Sequence, residues 1–197
     1  MSGIPKTYRI FEENGEVYLV REYIEGMSLA QMVLQKGGIS EAEICRISRK
    51  ICQTAEQFQN PDEPMIHRDI KPENIVVTPG GEVVFIDFGT MRSYKKDGSR
   101  DTFVVGTRGT AAPEQYGISQ SDNRVDVYAL GGTAEHYADR AAPVCEAGRW
   151  SRRKDRAALY NGKPNQRFQS VEQMKKRLKL MAAGARSGLR GGCVVLA

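Results

Sequence analysis

The sequence predicts an α+β fold, with a short strand pair ahead of a mainly helical body that carries one further hairpin. Three observations predict it. Apolar residues alternate on either side of Asn14-Gly15. Two longer stretches repeat apolar residues at helical spacing behind capping signals. Between them, Ile75-Val76-Val77 and Val83-Val84-Phe85-Ile86 flank the turn residues Pro79-Gly80-Gly81.

Taken in order, Tyr8–Glu12 and Glu16–Glu22 read as strands, because Asn-Gly is a strong signal for a two-residue hairpin turn. Ser28–Gln35 reads as a short helix ended by Gly37-Gly38. Ser40 with Glu43 forms a capping box, and Ile44, Ile47, Ile51, Ala55 and Phe58 then keep one apolar helical face. The runs at 75–77 and 83–86 read as a hairpin. Ser170 with Gln173 repeats the capping signal before Val171, Met174, Leu178 and Met181, which give a final amphipathic helix.

A length of 197 residues fits one domain. No apolar run approaches the roughly 18 residues of a membrane span, and no secretory signal opens the chain. Cys45, Cys52, Cys145 and Cys193 lack C-x-x-C spacing, which predicts free thiols in a reducing, cytoplasmic setting. The net charge of +5 comes without an aromatic platform, so a solvated face or tail is preferred over nucleic-acid binding.

The chemistry concentrates in His67-Arg68-Asp69-Ile70-Lys71-Pro72-Glu73-Asn74. One short loop there carries a carboxylate, an ammonium and a carboxamide at fixed offsets. Phosphoryl transfer to a hydroxyl needs that set: a base for the hydroxyl proton, a cation for the moving phosphate and an amide oxygen for a metal. Asp87-Phe88-Gly89 and Ala112-Pro113-Glu114 follow in order. With all three motifs in this order and spacing, the chain resembles the protein kinases.

The resemblance implies an α+β kinase-like fold, mainly its helical large lobe with the last two strands of the small lobe. Residues 1–24 would be the small-lobe remnant and hinge, 25–181 the large lobe and 182–197 a tail. It implies ATP and magnesium as cofactors and a protein as substrate. Asp69 would be the catalytic base, and Lys71 would neutralise the transferred phosphoryl. Asn74 and Asp87 would hold magnesium. Lys71, two residues after the base, marks the serine/threonine branch. Glu22 and Ile24 would offer backbone groups to adenine, with Val76 as the pocket floor. Thr107 would hydrogen-bond Asp69 and Lys71, Glu114 would pair with Arg167, and Asp126 would brace the backbone of the catalytic loop. Phe88 and Gly89 complete the metal-binding motif. Arg68 would meet a phosphate on the following loop, with Thr102 the best-placed acceptor among Thr90, Ser93, Tyr94, Ser99 and Thr102.

Several features depart from the family pattern. Thr110 stands where an aromatic residue is usual, and Arg21 occupies the gatekeeper position, where a large cation is unusual. The first residues already resemble the segment after the small lobe's helix, so the chain reads as truncated before its glycine-rich loop and phosphate-gripping lysine. Residues 132–163 are atypical: Thr133–Arg140 lacks a sustained apolar face. Codons permitted for Thr133–Ala142, read one nucleotide later, permit Leu-Leu-Asn-Ile-Met-Leu-Thr-Gly-Gln-His. The same shift over Arg156–Lys163 permits Val-Gln-Arg-Cys-Thr-Met-Val-Asn. An out-of-frame segment and a divergent insertion are both open, and two compensating indels in the gene would decide for the first. Two function classes follow: a serine/threonine protein kinase, or a catalytically silent kinase-like binding module or fragment.

Overall fold

The strand pair at the N-terminus forms as its turn dictates. In the computed structural model, which describes residues 3–36, 41–59, 64–94, 105–117, 121–138, 158 and 160–188, β1 (Thr7–Glu13) pairs antiparallel with β2 (Glu16–Arg21). Asn14 and Gly15 take φ of 54° and 79°, the left-handed pair that matches the twist of the flanking strands. Tyr8, Ile10, Val17 and Leu19 stay exposed on this hairpin.

After a five-residue crossing, the chain enters a three-stranded sheet of β3 (Met27–Ser28), β5 (Ile75–Val77) and β6 (Val83–Phe85), in the order β3-β5-β6. Gly26 makes that entry possible. Its φ is 152°, and a Cβ there would meet Val77 O at 2.4 Å and Val76 Cγ1 at 2.8 Å. Only glycine lets the crossing lie this close to the sheet. A small third sheet pairs β4 (Met65–Ile66) with β7 (Arg92–Ser93).

The longer helices among the described residues are α1 (Leu29–Lys36), α2 (Glu41–Phe58), α3 (Arg124–Ala138) and α4 (Val171–Gly188). Ser28 caps α1 with Gln31 in a reciprocal box: Gln31 N donates to Ser28 Oγ at 3.2 Å and Ser28 N to Gln31 Oε1 at 3.0 Å. At α4, Gln173 N donates to Ser170 Oγ, as its capping signal predicts. The Gln173 side chain turns instead to Gln169 N, at 3.0 Å. Ile44, Ile47, Ile51, Ala55 and Phe58 of α2 are buried with Val171, Met174 and Leu178 of α4, in one core that includes Phe85. The Glu56–Lys175 ion pair joins the two helices at their rim.

Although Thr133–Arg140 lacks a sustained apolar face, α3 continues through Ala138. Gly132 packs beneath Tyr160, and a Cβ at that position would lie 2.7 Å from Tyr160 Cε2. Tyr160 also stacks on Tyr128 at 4.2 Å, so the glycine admits an aromatic clasp in place of an apolar face. Most of the atypical segment, the Ser40 cap, Gly37-Gly38, Ser99, Thr102 and the final residues of the tail lie outside the described residues.

Candidate active site

The 67–74 loop is held from below by side chains far away in sequence. Asp126, near the start of α3, accepts His67 N on Oδ2 at 3.0 Å and Arg68 N on Oδ1 at 2.9 Å. Gln115 Nε2 donates to Arg68 O at 2.7 Å, Arg68 Nε to Thr90 O at 2.8 Å and Thr90 Oγ1 to His67 O at 2.7 Å. These bonds hold Arg68 at φ 68°, a left-handed conformation that a side chain with a Cβ rarely adopts. Burial raises the Asp126 carboxyl to about 6, against the pull of the two N–H donors, so it is ionised at neutral pH. His67 is fully buried among Phe58, Phe85 and Phe88, with ring centroids 5.2 to 6.0 Å away. Neither ring nitrogen has a hydrogen-bond partner among the described residues. Burial lowers its pKa to about 4, which leaves the imidazole neutral at pH 7.

Beyond that turn, Asp69 gathers three groups. Lys71 Nζ lies 2.8 Å from Asp69 Oδ2, and Thr107 Oγ1 donates to Asp69 Oδ1 at 2.7 Å. Lys71 Nζ in turn donates to Thr107 Oγ1 at 2.8 Å. Asn74 Nδ2 reaches Asp69 O at 3.3 Å and Oδ2 at 3.4 Å. With its amide nitrogen turned to Asp69, Asn74 has its amide oxygen left for another partner.

The β5–β6 hairpin brings Asn74 beside Asp87, because Ile86 N donates to Asn74 O at 3.0 Å. Asp87 is exposed, and its Oδ1 accepts Gly89 N at 2.9 Å. Phe88 packs back on the core. An amide oxygen and a carboxylate are hard donors, a set that suits magnesium completed by phosphate and water oxygens. Above them, Val76 is buried under the Glu22–Gly26 crossing. Glu22 N donates to Lys6 O at 2.8 Å, and the Glu22 carboxylate accepts Lys6 N at 3.0 Å. Glu22 and Ile24 flank Tyr23 in this crossing, and Tyr23 is 89 % exposed.

On the other side, Thr107–Ala111 forms a tight turn, with Ala111 N donating to Thr107 O at 2.9 Å and Thr110 N at 3.1 Å. A cleft of about 370 Å³ lies beside it, lined by Leu34, Pro72, Glu73, Thr107 and Thr110 among others. Glu114 anchors the turn from behind. Arg167 Nη1 and Nη2 meet its two oxygens at 2.6 and 2.8 Å. Sequence reasoning missed Thr90 and Gln115 as supports of the loop, and it missed the Ser28–Gln31 cap. The cap was legible as S-x-x-Q; the other two act across the fold and carry no local signal.

Residues 1–183 match the family described as "Protein kinase domain". Serine/threonine-protein kinase D of Synechocystis sp. is 35% identical over 150 residues, covering 73% of this chain and 28% of that protein. The 3-phosphoinositide-dependent protein kinase 1 of Arabidopsis thaliana is 30% identical over 159 residues, covering 75% and 32%. Serine/threonine-protein kinase PknA of Nostoc sp. is 29% identical over 207 residues, covering 90% and 35%. The chain belongs to the protein kinase family, and the two bacterial relatives are named serine/threonine-protein kinases. It spans about a third or less of the length of these relatives. No helix among the described residues is long and apolar enough to cross a membrane.

Proposed function

We propose that the chain carries the phosphoryl-transfer site of a serine/threonine protein kinase, which moves the ATP γ-phosphoryl group to hydroxyls of a protein. The observation that carries this reading is the convergence on Asp69 of Thr107 at 2.7 Å, Lys71 at 2.8 Å and Asn74 at 3.4 Å. Asp69 orients the acceptor hydroxyl and takes its proton, using the oxygen edge that Thr107 and Lys71 hold in place. Lys71 shares its charge between Asp69 and the incoming phosphoryl oxygens. Asn74 and Asp87 would hold magnesium, which when bound screens the phosphate charge. Adenine would lie between the Glu22–Ile24 backbone and Val76. The acceptor segment would lie along Thr107–Thr110 and the adjoining cleft. Cys45 and Cys52 are buried outside any disulfide, which suits the cytoplasm.

A radiolabelled-ATP transfer assay tests the reading, run on the 197-residue chain and on a version extended by a homologous small lobe. The 197-residue chain should bind nucleotide with metal dependence. In the extended protein, Asp69→Asn should lower transfer by on the order of 10²–10⁴ while leaving nucleotide binding nearly intact. Unchanged turnover in that variant removes Asp69 from the role. Nucleotide binding without transfer in the extended wild type would favour the silent binding module instead.

A further inference from the structure

Arg21 ends β2, and its guanidinium reaches across the fold. Nη1 donates to the carbonyl of Ile86, 65 residues further along the chain. Ile86 is the residue before Asp87, and its N–H is the one bonded to Asn74 O. The guanidinium therefore caps the peptide that joins the two candidate magnesium ligands. This is its one hydrogen bond among the described residues, and it is made to a neutral acceptor.

The surrounding charges give that position a meaning. Lys71 is already engaged, by Asp69 and by Thr107. Asp87 is an exposed carboxylate with one oxygen on Gly89 N. An anionic ligand that shares a cation with Asn74 and Asp87 brings its own oxygens to this mouth, and their charge exceeds what one divalent ion offsets. A guanidinium has five N–H donors in a planar fork and matches phosphate oxygens bidentately. Tethered at Ile86 by one N–H, Arg21 has the rest of its fork available. We propose that Arg21 is a phosphate-binding residue of the nucleotide site, holding the polyphosphate tail from the hinge side. This rests on the nucleotide reading given above and deepens it: affinity would depend on the phosphates and on a hinge-strand cation, not on the base alone.

The test compares binding of Mg·ADP and of adenosine to the full 197-residue chain by calorimetry, in wild type and two variants. Arg21→Gln keeps a donor for the Ile86 carbonyl but removes the charge; Arg21→Lys keeps the charge but not the fork. Wild type should prefer Mg·ADP over adenosine. Arg21→Gln should weaken Mg·ADP by about tenfold or more and leave adenosine unchanged, while Arg21→Lys retains part of the preference. Equal losses for both ligands would make Arg21 a packing residue and overturn the proposal, as would an unchanged Mg·ADP affinity in Arg21→Gln. If circular dichroism finds Arg21→Gln unfolded, Arg21→Lys decides: an affinity ratio equal to wild type overturns the forked contact. Adenosine binding without any preference for Mg·ADP in wild type refutes the inference alone. Failure to bind either ligand refutes the nucleotide reading with it.

Discussion

Replacing Glu114 should unfasten the helical body at its base. The Arg167 side chain is 0 % exposed, and all five of its N–H donors are met. Two go to Glu114, at 2.6 and 2.8 Å, and three to the carbonyls of Arg124, Asn161 and Gly162. Its guanidinium carbon also lies 4.6 Å from the centre of the Tyr128 ring. Glu114→Gln would leave that cation among neutral carbonyls, with an amide group offering one acceptor where two stood. Breaking a buried pair from one side costs about 3–5 kcal/mol. The Glu114 side chain is 18 % exposed, so water can answer part of the loss, and about 3 kcal/mol is the expected cost.

Arg167→Met should cost about 4–5 kcal/mol, because it strands Glu114 and three carbonyls together. In the double variant the stranding is shared, so the two costs should fall short of additivity by about 2 kcal/mol. Urea unfolding followed by far-UV circular dichroism measures all three. For a chain of this size, 3 kcal/mol also lowers Tm by roughly 6–12 °C. A cost below about 1 kcal/mol for Glu114→Gln, or additivity within about 0.5 kcal/mol, would refute the account of a desolvated, coupled pair. The damage should also travel. Gln115 follows Glu114 and holds Arg68 O at 2.7 Å, so loosening the turn loosens the backbone before Asp69.

Other perturbations probe the rest of the site. Between pH 6.5 and 4, His67 (folded pKa about 4) takes up its proton first in the unfolded chain, so its share of stability is lost as pH falls; Asp126 (folded pKa about 6) protonates first in the folded chain and acts in the opposite sense. His67→Phe removes the first arm alone, so its stability relative to wild type should rise by about 2–3 kcal/mol on acidification from pH 7 to 4; parallel pH curves would sink that account. Gly26→Ala must place a Cβ 2.4 Å from Val77 O at φ 152°, and should cost at least about 2 kcal/mol in thermal unfolding. A neutral result there would mean that the crossing can lift off the sheet.

The parts of this molecule that were legible in the sequence are those whose cause is local. Asn14-Gly15 sets the first hairpin through its own φ values, and the spacing of Ile44, Ile47, Ile51, Ala55 and Phe58 fixes which face of α2 goes inside. The family motifs named Asp69, Lys71, Thr107, Glu114, Asp126 and Arg167, and the structure brings each to its expected neighbour. Legibility ends where a contact joins distant segments without a pattern of its own. Gln115 reaches back 47 residues to Arg68, and Arg21 reaches forward 65 to Ile86. The persistence of α3 past Gly131-Gly132 belongs to the same class. Glycine weakens a helix by about 1 kcal/mol relative to alanine, and only the ring of Tyr160, 28 residues on, explains why it stands there.

The same distinction explains how the candidate site keeps its shape. Left alone, Arg68 would relax out of the left-handed region, since that conformation costs a residue with a Cβ roughly 1–2 kcal/mol. Relaxation would swing Asp69 away from Thr107 and Lys71. Three segments oppose it: Asp126 holds the N–H groups of His67 and Arg68, Gln115 holds the Arg68 carbonyl, and Thr90 holds the His67 carbonyl. The two bonds to the charged acceptor are worth about 1.5–3 kcal/mol each and the two to neutral carbonyls about 0.5–1.5, so together they exceed the backbone cost. Two of the three depend on neighbours with their own duties. Gln115 sits behind the Glu114–Arg167 pair, and Thr90 follows the Asp87-Phe88-Gly89 turn. A change at the Asp87-Phe88-Gly89 turn or at the base of the body therefore reaches Asp69 through the same twisted peptide, and the Asp69 carboxylate is aligned with Thr107 and Lys71 only when both are in place.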